Sequence, residues 1–234
     1  MSTLDFSRSP SLNNIPKRKL TDHLVAIESS NDDLKTKNLK ITAINRYAES
    51  NIPIEYWALK MDKDFQGDNR LLDKYKDYTL DLKKTYTSGQ SICFAGSHGL
   101  GKTMTMCCVL KTASLKGYSC LYTTLTDMVS VLTQGSIEDK FIAKKELSMV
   151  DFLVIDEVDQ RFFRQSDNAN ETFARTLESI LRGRLQNKLP ILMATNSPQI
   201  KETFVTQFKD SLGSLMSKIE MFIVMPGPDF RKNK

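Results

Sequence analysis

The 234-residue chain is 40% hydrophobic and 26% charged, an ordinary globular composition with enough length for one sizeable core or a domain plus an extension. It has no apolar run near the roughly 20 residues that span a bilayer, and residues 1–10 lack a secretory layout, which points to a cytoplasmic protein with no membrane partner. Thirty-three basic against 28 acidic residues leave a net charge of +5, which permits a polyanionic partner without requiring one.

Residues 1–40 are polar, rich in Ser, Asn and Lys, and punctuated by Pro10 and Pro16, with a basic cluster at Lys17-Arg18-Lys19. Leu20, Leu24 and Ile27 fall on one side of a short helix, so this stretch reads as a flexible arm with a docking helix. Lys40 to Ser50 is helical in pattern and broken by Pro53. The segment Ile52-Pro53-Ile54-Glu55-Tyr56-Trp57 carries the one tryptophan, and a polar helix is predicted from Asn69 to about Lys84.

From Ser91 onward, strands and helices alternate, the pattern of a parallel sheet covered on both faces. Predicted strands are Ser91–Ala95, Ser119–Thr124, Phe152–Asp156, Pro190–Thr195 and Met221–Met225. Predicted helices are Thr103–Lys116, Thr126–Thr133, Ile137–Ser148, Asn170–Gln186 and one or two between Gln199 and Lys218. Phe173, Leu177, Ile180, Leu181 and Leu185 make a helical stripe that belongs to the core. Cys93, Cys107, Cys108 and Cys120 lack metal-ligand spacing and read as buried free thiols.

Between the first strand and its helix lies Gly96-Ser97-His98-Gly99-Leu100-Gly101-Lys102-Thr103, a complete GxxxxGK[ST] phosphate loop. The glycines let consecutive N–H groups approach phosphate oxygens. Lys102 brings a charge to the β- and γ-phosphates, the Thr103 hydroxyl is a Mg²⁺ ligand, and the helix adds its positive end. ATP and Mg²⁺ are therefore the expected cofactors. The strand Phe152–Asp156 ends in Asp156-Glu157: Asp156 is placed to hold the metal and Glu157 to act as general base toward water. Asn196 ends the next strand, where an amide can orient the lytic water; followed by Pro198, it is also what a plain turn looks like.

These motifs in this order resemble the AAA+ ATPases, and within them the DnaC-type replicative helicase loaders and the related IstB transposition ATPases. The resemblance rests on Asn51–Trp57, Gly96–Thr103, Phe152–Glu157, Ala194-Thr195-Asn196 and Gly227-Pro228-Asp229-Phe230-Arg231, and covers roughly residues 45 to 234. It implies an AAA+ core with a five-stranded, mainly parallel sheet, helices on both faces and no C-terminal helical lid. The division it suggests is an arm at 1–45, partly flexible and carrying a helicase-docking helix, and an ATPase domain at 46–234. It further implies that Gly96 to Thr103 bind nucleotide, that Asp156 and Thr103 hold Mg²⁺, that Glu157 is the base and Asn196 the first sensor. Arg231 would touch the phosphates.

One departure stands out: Lys218 occupies the position where the loaders carry a trans-acting arginine. Lysine keeps the charge and loses the rigid fork, so hydrolysis is expected to be slow or partner-stimulated, with Arg161, Arg164 or a partner as other sources of a finger. A plain surface lysine is the alternative. Leu125 to Asp151 is long for one connection. Its second helix carries Lys140, Lys144 and Lys145 near Phe141, which by resemblance would grip single-stranded DNA and otherwise form a solvated face.

The function implied is an ATP-dependent loader of a hexameric replicative helicase, self-associating into a spiral or ring on single-stranded DNA in a bacterial or phage-infected cell. An IstB-like helper of a transposase on duplex DNA shares every core motif. A nucleotide-binding adaptor with little hydrolysis is the third reading.

Overall fold

A computed structural model describes residues 15–158, 168–197, 214–215 and 217–224. Helix α1 (Lys17–Glu28) is followed by α2 (Leu34–Glu49), a 3-10 turn at Ile54–Tyr56, α3 (Asn69–Leu80) and α4 (Leu82–Ser88). Then come β1 (Ile92–Ala95), α5 (Lys102–Leu115), β2 (Cys120–Thr124), α6 (Leu125–Gln134) and α7 (Ile137–Met149). The chain continues through β3 (Phe152–Asp156), α8 (Asn168–Gln186), β4 (Ile191–Thr195) and β5 (Glu220–Ile223).

The strands form one sheet in the order β2-β3-β4-β1-β5, and every pairing is parallel. Alternation along the strands divides the core into two. Cys93, Leu121, Leu153, Ile155, Ile191 and Met193 face α6, α7 and α8. Ile92, Phe94, Tyr122, Phe152, Val154 and Leu192 face α5 and the helices that precede β1. Helix α5 is buried at ten of its fourteen positions, so it lies sandwiched between the sheet and the N-terminal segment.

Local chemistry sets the boundaries. Asp33, Asp68, Asp81, Thr124 and Ser136 each accept a backbone N–H in the first turn of the helix they precede. Thr124 is both the last residue of β2 and the cap of α6, so strand turns directly into helix. Asp81, at φ −123°, splits the predicted Asn69–Lys84 helix into α3 and α4 and caps the second.

The N-terminal arm is helical over its described part. Its apolar side turns toward the body: Leu20 packs on the core and His23 lies 5.2 Å, ring to ring, from Trp57. A line between residues 45 and 46 falls inside α2, near its C-terminal end. The predicted helices between Gln199 and Lys218 fall mostly outside the described residues, and no helix follows β5 among those described. The four cysteines are buried free thiols, and burial pushes Cys93 up to about 12 and Cys108 to about 11.

Candidate functional site

The phosphate loop begins where β1 ends, tied on both sides to the sheet. Gly96 N–H donates to the Thr195 carbonyl of β4 at 3.2 Å, and Val224 N–H to the Ala95 carbonyl at 2.7 Å. A Cβ on Gly96 would stand 2.6 Å from the Val224 carbonyl oxygen, so glycine is imposed by the neighbouring strand. Gly101 turns into α5 at φ +92°, with the Phe65 ring against it. Ser97 and His98 are exposed while Gly99 and Leu100 are buried.

Lys102 opens α5 and its side chain folds back over the loop. Its Nζ donates to the carbonyls of Gly96 at 2.8 Å and Ser97 at 2.7 Å, and to Asn196 Oδ1 at 3.1 Å. The structure thus brings Lys102 and Asn196 together across 94 residues of chain, at the carboxyl ends of β1 and β4. Thr103 sits half-buried one residue further on.

Asp156 ends β3 and is almost fully buried. Its Oδ1 accepts from Glu157 N–H at 2.8 Å and its Oδ2 from the Tyr122 hydroxyl at 2.9 Å. Burial and the Asp156 charge push the Tyr122 phenol far above its usual value, so it remains a donor. Cys107 is raised by burial first and then by Asp156, which places that α5 residue on the same side of the sheet. Glu157 itself is exposed and sits at φ 53°, left-handed backbone that costs a non-glycine residue about 1 kcal/mol or more and recurs at functional positions. A buried carboxylate beside a helix that opens Lys-Thr offers hard oxygen donors, the set that suits Mg²⁺.

The family of ATPases associated with various cellular activities, AAA, matches residues 92–212. The chain belongs to the AAA family. The match spans every element from β1 to β4. No protein with a curated description matches this AAA chain. Among solved structures, the DnaC helicase loader is 19% identical with a TM-score of 0.59, covering 74% of this chain and 99% of that one. DnaI is 18% identical at 0.58, covering 76% and 94%. The replication initiator DnaA bound to AMPPCP and single-stranded DNA is 18% identical at 0.58, covering 77% of this chain and 53% of that one. The chain therefore spans about half the length of two of the DnaA chains it matches and nearly all of the solved DnaC chain. At these identities the likeness is one of fold. In this AAA protein the loop follows β1, Asp156 and Glu157 lie at the end of β3, and Asn196 follows β4.

Other expected residues lie elsewhere. Lys218 is exposed in the turn before β5. Glu220 pairs with Ile92 and Ile223 with Ala95, so Lys218 is at the opposite end of the sheet from the loop, beyond a strand ~13 Å long. It does not join its own chain's phosphate loop. Arg161, Arg164 and Arg231 lie outside the described residues. Lys144 and Lys145 are exposed on α7 and Lys140 is half-buried, with Ile137 and Phe141 exposed beside them while Ala143 and Leu147 face inward.

Sequence reasoning assigned no role to Tyr122, Asn51 or Phe65. Asn51 Nδ2 donates to the Tyr122 carbonyl and Ser50 accepts from the Tyr122 N–H, both at 2.9 Å, which explains the asparagine of the Asn51–Trp57 segment. Asp68 N–H donates to the Leu100 carbonyl at 3.2 Å, and a Cβ on Gly67 would meet that carbonyl at 2.4 Å. A glycine one residue before the aspartate that caps α3 was the available signal, readable only with the loop beside it.

Proposed function

We propose that this AAA protein is an ATPase that loads a replicative DNA helicase onto single-stranded DNA, working as an ATP-bound oligomer in the cytoplasm. The observation that carries the nucleotide part is the Lys102–Asn196 contact at 3.1 Å, which joins the phosphate loop to the amide on β4. The loader part is supported by a fold likeness covering 99% of the DnaC helicase loader. The DNA part is supported by the likeness to a DnaA bound to single-stranded DNA, and by the exposed Lys144 and Lys145 beside Phe141.

The chain's own residues divide the work. Loop N–H groups from Gly96 to Gly101 and the start of α5 receive phosphate oxygens. Lys102 exchanges its carbonyl partners for the β- and γ-oxygens. Asp156 and Thr103 hold Mg²⁺, which neutralises charge on those oxygens when bound. Asn196 orients a water and Glu157, exposed at the strand end, accepts its proton. Arg231 contacts the phosphates. Lys218, at the far end of the sheet, acts on a neighbouring subunit's nucleotide. A lysine there lacks the bidentate geometry by which an arginine contributes 10³–10⁵ in rate, so turnover is slow until a partner assists.

Recovery of a replicative helicase with tagged protein and a slowly hydrolysed ATP analogue from host lysate tests the loader assignment; recovery of a transposase would replace it with an IstB-like role. Glu157→Gln is expected to bind ATP and stop turnover, and unchanged hydrolysis removes Glu157 as base. Lys144→Ala with Lys145→Ala should weaken single-stranded DNA binding and lower its salt slope by about 1.4, measured by anisotropy across a salt series. An unchanged slope leaves α7 a solvated face.

A further inference from the structure

Both oxygens of Asp156 already hold a donor from this chain: Glu157 N–H on Oδ1 and the Tyr122 hydroxyl on Oδ2. The second contact follows from strand geometry. Tyr122 is level with Val154 on the adjacent parallel strand, and Tyr122, Val154 and Asp156 project toward α5. The phenol therefore needs to reach two residues, about 6.6 Å, along the strand to meet the carboxylate. The bond is between buried groups, and it fixes the direction in which the carboxylate points.

Tyr122 is in turn held from outside the sheet. β2 is an edge strand, whose outward N–H and C=O groups need partners. At Tyr122 both are supplied by residues that follow α2: Ser50 accepts its N–H and Asn51 Nδ2 donates to its carbonyl. Asn51 takes φ 51° to do so, left-handed backbone that asparagine tolerates better than most side chains. The line of contacts runs from the end of α2, through the backbone of Tyr122, to the carboxylate of Asp156.

We propose that Tyr122 is the positioning residue of the metal-binding carboxylate, and that Ser50 and Asn51 set its place from the end of the N-terminal helical pair. This rests on the assignment of Asp156 as the metal ligand. Each carboxylate oxygen has two lone pairs, so an oxygen that accepts the phenol can still face a cation. Partners of this kind, behind a metal ligand, typically change metal affinity 10–100-fold when removed.

The test uses the full chain and a fluorescent ATP analogue, titrated first in EDTA and then with rising Mg²⁺. Tyr122→Phe keeps the ring and removes the hydroxyl. Its metal-free nucleotide affinity is expected to match wild type, while the half-saturating Mg²⁺ concentration rises about 10-fold. An unmoved Mg²⁺ midpoint overturns the proposal. An equal loss of affinity with and without metal also overturns it, because that is loss of structure and not of metal positioning. If Tyr122→Phe fails to fold, Asn51→Ala retains the phenol while removing its anchor; it should shift the midpoint in the same direction by a smaller factor, and an unmoved midpoint overturns the proposal. Wild-type protein that binds no nucleotide removes the underlying site itself, an outcome distinct from the others.

Discussion

The two faces of the sheet are each pinned by a buried cation, and by different means. On the α5 face, Lys111 Nζ donates to the carbonyls of Tyr56, at 2.8 Å, and Leu59, and lies 5.3 Å from the centre of the Tyr47 ring. On the other face, Arg184 is fully buried and its guanidinium donates to four carbonyls, Leu147, Val150, Asp151 and Pro190, at 2.8–3.2 Å. Burial lowers both groups, Arg184 to about 9, which still leaves it charged at neutral pH. The ammonium is a point charge that holds one segment, the turn leading toward the phosphate loop. The planar fork joins the end of α7, the start of β3 and the start of β4 in one place. The nucleotide face is wired segment by segment, and the opposite face is locked at a single node.

That contrast can be broken by substitution. The largest expected effect is on binding: Lys102→Ala should weaken ATP at least 100-fold, about 3 kcal/mol for charge-assisted bonds, in a titration with a fluorescent analogue. Retained tight binding would remove the phosphate-loop assignment. Arg184→Met should leave the affinity of folded protein unchanged and lower unfolding free energy by about 2–4 kcal/mol, because carbonyls gathered around one donor lose it. A denaturant midpoint equal to wild type would mean the node is dispensable. Lys111→Met should cost less, about 1–2 kcal/mol, since two carbonyls are involved and the stem still packs. If it cost more than Arg184→Met, the two faces would have to exchange roles. The smallest change is expected of thiol reagents. Iodoacetamide should leave Cys93, Cys107, Cys108 and Cys120 unmodified in the folded chain and label all four in denaturant, read by mass spectrometry.

Much of the ATPase core was legible from local pattern. The strand boundaries fall within two residues of expectation because each strand is a short apolar run closed by a turn or a cap. Gly96 to Thr103 was readable because the glycines and Lys102 fall within one eight-residue stretch of the chain. What escaped was whatever depends on which strands are neighbours. Tyr122 looked like one more apolar strand residue until β2 was found beside β3, with Asp156 two residues further along. Arg184 follows Leu177 by seven and Leu181 by three, so it sits on the core stripe of α8 as an exception that hydrophobic pattern alone assigns to solvent. The break at Asp81 was hidden because helical residues continue on both sides; only its backbone angles reveal it. The arm reads as flexible because residues 1–40 are polar and rich in Ser, Asn and Lys, yet Leu20 and His23 find partners on the body.

The strand order also bears on how such a chain is made. β1 lies between β4 and β5, and Ile92 pairs with Leu192 and Glu220, 100 and 128 residues later. During synthesis at 5–20 residues per second, β1 waits roughly 5–20 s for its first partner to be made. Until then the segment that carries the phosphate loop has no ladder on either side, while β2 and β3, only 32 residues apart in register, can already pair. The nascent chain can therefore pair β2 with the strand that ends in Asp156 before the strand that leads into Gly96–Thr103 has any partner, and Lys102 cannot meet Asn196 until the fourth strand has emerged.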